Sequence, residues 1–295
     1  MGNSHEIFDT IATVVAQKTS GTNAYTLTFE CPEIAGAARP VQFVNIATTP
    51  LSSEDKPGPS LDMLLRRPLG FSQVRPEEGQ FDVIYQIVGH GTQAMAQFKI
   101  GDRVRILGPL GMPLTAEMIK AQTVILVGGG LGLPPLYDLA PELIKAGKET
   151  IVIAGARAEN LLIMDTQKCK LKRPLAGTNE TTGLKPFVEI GADCIVTLDT
   201  PTEGFHSGLV TEPLKQYLKQ DFDGGVEIVT CGPPVMMKFI AQIAQEKSVK
   251  CRLIMEARMG CGLGACQACV CKTTDGYKRV CTEGPVFDAE DIVWT

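Results

Sequence analysis

Aromatic residues make up only 6% of the chain, with a single tryptophan, so no row of stacking platforms for bases is present. A basic excess is also missing. The 28 Lys plus Arg stand against 33 Asp plus Glu, a formal net charge of −5, which argues against a nucleic-acid binder. No apolar run approaches the ~20 residues needed to cross a bilayer, so no membrane span is expected. The opening Met1-Gly2-Asn3-Ser4-His5-Glu6 lacks the basic start and apolar stretch of a secretory signal. Glu6 stands where a myristoylation start has Ser or Thr. A cytoplasmic, reducing setting is the expectation.

What is present is ample chain and ample sulfur. The 295 residues, 44% hydrophobic and 21% charged, suffice for two or three domains with cores that need no disulfides. Ten cysteines occur: Cys31, Cys169, Cys194, Cys231, Cys251, Cys261, Cys266, Cys269, Cys271 and Cys281. In a reducing compartment such density reads as metal binding or catalysis rather than disulfides. Half of them fall between 261 and 281, which points at the C-terminus.

Three segments follow from the change of period along the chain, with boundaries at 1–118, 119–250 and 251–295. The first has β-rich runs at Ile7–Val15, Ala24–Glu30, Gln42–Ala47, Phe81–Val88 and Arg103–Leu107, and is expected to form an antiparallel barrel. Ser52–Ser60 reads as an exposed loop. In the second, the apolar strand Thr123–Val127 runs into Gly128-Gly-Gly-Leu-Gly132. A helix is expected next, because Leu136, Leu139, Ala140, Leu143 and Ile144 share one helical face, with Pro141 predicting a kink. Strands at 150–154, 194–198 and 226–230, with helices near 159–168, 209–220 and 234–247, argue a parallel α/β sheet. Lys170–Lys185 reads as a surface insertion. The third segment is short and Gly- and Cys-rich, and is expected to fold around a metal centre.

Five motifs carry chemistry. Cys261-x4-Cys266-x2-Cys269, with Cys281 after eleven intervening residues, has the plant-type [2Fe–2S] spacing. Cys271 competes with Cys269 on geometry, since alternate residues of an extended chain face one way. A four-cysteine zinc site is the alternative, but such sites pair two C-x2-C motifs and only one occurs. The second motif is Leu64-Leu-Arg-Arg67-Pro-Leu-Gly-Phe-Ser72, where an Arg beside a rigid Pro offers a fork to phosphate. In isolation the reading as a solvated Arg pair at a strand end would win. Ile84-Tyr-Gln-Ile-Val-Gly-His-Gly-Thr92 leads a strand through a Gly-flanked turn into a helix start, or is an ordinary turn. Gly130-x-Gly132-x-x-Pro135 suits a dinucleotide pyrophosphate, and no acidic residue follows at the tip Ala154-Gly-Ala-Arg157, which leaves NAD and NADP both open. Cys231-Gly-Pro-Pro234 ends the last strand, where Cys231 faces a ligand edge or is a packed core thiol.

In this order, the motifs resemble the ferredoxin–NADP reductase superfamily with an iron–sulfur tail, and within it the electron-transfer subunits of class 1B, NAD-dependent dihydroorotate dehydrogenases. The resemblance is carried by Glu256–Cys271, Arg279–Phe287 and Val127–Tyr137. It implies an FAD-binding barrel, an α/β domain for NAD and a [2Fe–2S] tail. It further implies that Arg67, Pro68, Leu69, Gly70, Tyr85, Gln86, Ile87, Gly91 and Thr92 line the FAD. Cys261, Cys266, Cys269 and Cys281 would ligate the cluster, with Cys271 free and no catalytic side chain required. The implied partner is an FMN-containing catalytic subunit that oxidises dihydroorotate in pyrimidine biosynthesis, in a heterotetramer of two plus two. Two residues depart from the pattern: Gly70 replaces a usual Ser, and Gln86 a common Arg. Rival readings are a flavin subunit of an NAD(P)H–ferredoxin or sulfide oxidoreductase, and a zinc-stabilised binding protein.

Overall fold

The computed structural model describes residues 6–51, 65–175 and 178–294. The expected Ser52–Ser60 loop and Leu64 lie outside the described residues. The first part of the chain runs β1 (Phe8–Thr19), β2 (Ala24–Glu30), α1 (Pro32–Ala37), β3 (Phe43–Ile46), β4 (Arg67–Arg75), β5 (Gln80–Gln86), α2 (His90–Met95) and β6 (Arg103–Leu110). Its six strands close into an antiparallel barrel in the order β1-β2-β5-β4-β3-β6. Closure leaves no open strand edge. Period-two alternation sends Val14, Leu27, Phe29, Val44, Phe71, Phe81, Val83 and Tyr85 inward. Phe71 meets Phe81 edge to face at 5.2 Å.

One strand is a correction to the sequence reading. The segment holding the Arg67–Ser72 motif, for which no strand is expected from the sequence, is strand β4 (Arg67–Arg75), paired with β3 and β5. Pro68 and Gly70 depress its strand propensity, and the ladders on both sides override that.

The α/β part runs β7 (Thr123–Gly129), α3 (Leu133–Lys145), β8 (Glu149–Ala156), β9 (Thr166–Leu175), β10 (Thr178–Leu184), α4 (Lys185–Glu189), β11 (Asp193–Leu198), β12 (His206–Ser207), α5 (Thr211–Tyr217), β13 (Val226–Cys231), α6 (Pro234–Glu246) and β14 (Lys250–Ile254). The tail adds β15 (Val270–Thr273), β16 (Gly276–Arg279) and β17 (Val286–Asp288). The main sheet has the order β12-β11-β8-β7-β13-β14-β17. Every pairing is parallel except β14 with β17. All seven residues of β7 are buried, as expected for a central strand covered on both faces. The strand order reverses between β7 and β13, so their carboxyl ends open a crevice at the switch point.

The helix expected near 159–168 is replaced by a single 3-10 turn and then β9. It pairs antiparallel with β10, so the insertion expected at 170–185 is β-structure over Lys170–Leu175 and Thr178–Leu184, and it buries Leu171, Leu175 and Leu184. Arg173 anchors it, ion-paired to Glu149 at 2.9 Å and resting over the Phe222 ring. The tail does not own a separate core. Cys269, Val280, Cys281, Phe287 and Ile292 belong to one apolar cluster with sheet residues such as Ile125, Ile228 and Leu253, and with Phe43 of the barrel. Backbone bonds stitch it to both neighbours: Met112 N–H donates to the Gly284 carbonyl, and Met255 N–H to the Pro285 carbonyl. Among the described residues no helix is long and apolar enough to cross a membrane.

Candidate functional site

A cavity of about 630 Å³ opens where barrel, sheet and tail meet. That is the size class of cofactor sites. Val41, Phe43 and Arg66–Gly70 form its barrel wall, Leu131, Pro134 and Pro135 its sheet wall, and Ile254–Met259 with Val280 and Pro285 its tail wall. Of the residues assigned to flavin by resemblance, Arg67, Pro68, Leu69, Gly70, Tyr85, Gln86 and Thr92 border it. Ile87 is not among its walls; its amide is spent on the Asn23 carbonyl. Tyr85 reaches the rim while its side chain packs in the barrel core, 1% exposed and stacked on Tyr25. Alternation along β5 leaves the half-buried Ile84 and Gln86 to face outward.

Two details explain glycines here. A Cβ on Gly91 would lie 2.6 Å from both Cζ and Nε of Arg67, so the guanidinium packs directly on the start of α2. Arg67 also donates to the Leu65 carbonyl, which holds its fork at the cavity rim. A Cβ on Gly70 would lie 3.0 Å from Cγ of Pro135. The missing serine is thus accounted for by close packing of β4 on α3. Thr92 has little to offer a ligand through its hydroxyl. It accepts from the Val88 and Gly89 amides and donates to the Gly89 carbonyl.

At the switch point, the loops after β7 and β13 touch. A Cβ on Gly132 would fall on the Cys231 carbonyl and 2.6 Å from the Gly232 nitrogen. Cys231 is fully buried, and burial, then the nearby Glu256 carboxylate, pushes its thiol well up. It is therefore a core thiol with a ligand-facing neighbour. That neighbour is a residue the sequence reading quoted without assigning a role. Glu256 lines the cavity, and burial raises its carboxyl above the usual range. Its only sequence signal was an acid at the end of an apolar strand.

The four candidate cysteines stand two and two. The Cys261 sulfur accepts the Leu263 amide at 3.3 Å and the Cys266 amide at 3.4 Å, and the Cys266 sulfur accepts the Cys261 amide at 3.4 Å. These amides, Cys266 first, bring the Cys261 thiol down to about 6, so the thiolate that metals bind predominates at neutral pH. Gly262 at φ +74° and Gly264 at φ +79° let the loop turn its amides inward. Cys269 and Cys281 lie within hydrogen-bond reach of each other, both buried, and burial pushes Cys281 up to about 11. The Gly264 amide reaches the Cys281 sulfur and so links the two pairs. Among the described residues no three His, Cys, Asp or Glu side chains converge as a single-ion site requires. Two pairs are what a two-iron cluster takes. Cys271 packs against the apolar cluster, half-buried, its thiol raised by burial.

The two sites share walls. Val280, on the cavity, is bonded to Cys281, and Met259, also on the cavity, is two residues from Cys261.

Residues 256–293 match the model of the iron–sulfur cluster binding domain of dihydroorotate dehydrogenase B. The chain is 32% identical to the dihydroorotate dehydrogenase B (NAD(+)) electron transfer subunit of Desulforamulus reducens, over 98% of this chain and 99% of that one. It is 34% identical to the protein of the same name from Bacillus cereus, over 95% and 96%. Among solved structures it is similar to a chain of the NADH-dependent reduced ferredoxin–NADP oxidoreductase, studied for flavin-based electron bifurcation. The TM-score is 0.75 and the identity 28%, covering 96% of this chain and 90% of that chain.

Proposed function

Since this chain belongs to the family of electron-transfer subunits of NAD-dependent dihydroorotate dehydrogenase B, we propose that the shared cavity holds FAD and that Cys261, Cys266, Cys269 and Cys281 hold a [2Fe–2S] cluster against its tail wall. The chain is the oxidoreductase component that carries electrons between a catalytic subunit and NAD⁺. In this reading the catalytic subunit contains FMN and oxidises dihydroorotate, and two copies of each chain assemble. When bound, the cluster passes single electrons, and FAD gathers two and exchanges a hydride with NAD⁺.

The protein's own residues bind, orient and insulate. Arg67 supplies a charge-assisted fork for the diphosphate, backed by Gly91. Pro68, Leu69, Gly70 and Gln86 give one wall for the flavin ring, and Tyr85 and Thr92 stiffen the turn behind it; Ile87 and Gly91 act through backbone placement. The glycine-rich loop Gly129–Gly132 and the Cys231–Pro234 loop flank the crevice in which the nicotinamide nucleotide would lie against the cavity mouth. Glu256, half-withdrawn from water, keeps a proton to higher pH than an exposed glutamate and can hold it at the cavity wall. Buried Val280 and Met259 exclude water between the two sites.

The single observation that carries this reading is the wall shared by cavity and cysteine loop. Iron, sulfide and flavin analysis of the purified chain tests it. One FAD and two irons per chain are expected. Stoichiometric zinc without iron would overturn it.

A further inference from the structure

One buried polar residue has no use in the scheme above. Asn45 lies mid-strand in β3 and is 0% exposed. Among the described residues, both its side-chain amide atoms, Oδ1 and Nδ2, lack a hydrogen-bond partner. Its strand neighbours Val44 and Ile46 fill the barrel interior, while Phe43 joins the apolar cluster of the tail. Asn45 therefore points out of the barrel, on the same face as Phe43. There it meets the cysteine loop. A Cβ on Gly262 would lie 2.6 Å from Asn45 Nδ2 and 3.0 Å from Leu110, so the amide packs directly on the residue that follows Cys261. Across the barrel ladder it is registered with Pro68, which lines the cavity, and with Leu107.

An amide buried without a partner is costly, and native structures rarely leave one. Three amides of this loop do not serve its Nδ2. Those of Cys261, Leu263 and Cys266 donate to cysteine sulfurs, and they are donors in any case. Leu107 and Leu110 offer nothing polar. What the loop gathers is sulfur. We propose that the Asn45 side-chain N–H donates to a sulfur of the cluster, and that this bond holds the cluster's reduction potential up. A donor aimed at sulfur favours the more negative, reduced form. The same sulfur fixes which end of the amide faces the loop, since the carbonyl oxygen would be repelled. The inference rests on the cluster assignment above, and places the tuning residue in the strand that separates cluster from flavin cavity.

The test is a redox titration of the purified holoprotein followed by electron paramagnetic resonance, for wild type, Asn45→Leu and Asn45→Asp. Asn45→Leu keeps the branched shape and should lower the cluster's midpoint by about tenfold in the ratio of reduced to oxidised form, about 59 mV for one electron. Asn45→Asp replaces the donor by an acceptor and should lower it further. The flavin midpoint should move less in both. An unchanged cluster potential in Asn45→Leu, at native iron content, overturns the proposal. If both variants lose the cluster, the wild type decides. Protein grown on asparagine with heavy nitrogen in the side-chain amide should show a nitrogen coupling to the reduced cluster in pulsed spectra, and no coupling overturns the bond. A wild type without any [2Fe–2S] signal overturns the cluster reading itself, which separates the two failures.

Discussion

Gly91→Ala isolates the flavin fork with a single methyl group. Gly91 has no positive φ, so alanine strains nothing in the backbone, and as a helix residue it gains propensity of roughly 0.5–1 kcal/mol. The new Cβ would sit 2.6 Å from Cζ and Nε of Arg67, well inside van der Waals contact. The obstacle is the far end of a flexible side chain, so the guanidinium swings away and the fold is spared. Displacing it removes the charge-assisted contact proposed for the flavin diphosphate, on the order of 1.5–3 kcal/mol. That corresponds to roughly ten- to a hundredfold weaker FAD binding. The assay is titration of apoprotein with FAD by flavin fluorescence, beside thermal unfolding of the apoprotein. Binding should fall while Tm holds or rises. Gly89→Ala is the matched control, because nothing lies within 4 Å of its Cβ and its φ of 174° suits any residue. Combined with Arg67→Ala, the Gly91→Ala effect should vanish, since there is no guanidinium left to displace. Full additivity of the two losses would refute the argument that Gly91 acts through Arg67.

Other consequences are equally open to measurement. Asp138, on α3, accepts the Val41 amide at 3.1 Å and so pins a residue at φ +73° on the cavity rim. Burial first, with Glu142 adding and the Val41 amide opposing, pushes its carboxyl up to about 7. The folded chain then holds a proton that the unfolded chain releases near pH 4, so stability falls as pH rises from about 4 to about 7 and is flat beyond. Asn keeps the acceptor without the charge, so Asp138→Asn should flatten that slope and raise stability at pH 8. The gain is at most about 4 kcal/mol, less because part of the residue reaches the surface; an unchanged pH dependence of Tm would count against it. Cys281→Ser should lose or alter the cluster's paramagnetic signal while Cys271→Ser keeps it, and the opposite pattern would reassign the fourth ligand. The chain alone should oxidise NADH with an artificial acceptor yet leave its flavin unbleached by dihydroorotate; bleaching would move the pyrimidine site into this subunit.

Local pattern explains which elements were readable. The alternating, β-branched runs at 24–30 and 103–107 and the apolar strand at 123–127 are strands in the fold, because burial of one or both faces writes itself into consecutive residues. The helix read from the stripe Leu136 to Ile144 spans Leu133–Lys145 and passes through Pro141. Two elements were misread for opposite reasons. Strand β4 carries Pro68 and Gly70, which local propensity disfavours and which long-range ladders to β3 and β5 outweigh. At 166–172 the alternation of Gln167, Cys169 and Leu171 with basic residues was a period-two signal hidden behind the apolar Leu161–Met164.

By itself the sequence determined the cysteine spacing, the glycine turns and the order of the strands and helices that carry them, because these depend on residues close along the chain. It therefore announced both an iron–sulfur loop and a nucleotide-binding sheet. Only the tertiary structure decided how they meet. It joined β17 of the tail to the sheet through β14, set Val280 and Met259 into the cavity wall beside their cysteines, and fitted Gly70 to Pro135. It also set Glu256 into the cavity wall and left the Asn45 amide against Gly262. Each of these joins residues dozens to hundreds of positions apart, or depends on water being excluded by such contacts. A residue's own neighbours in sequence carry no record of either.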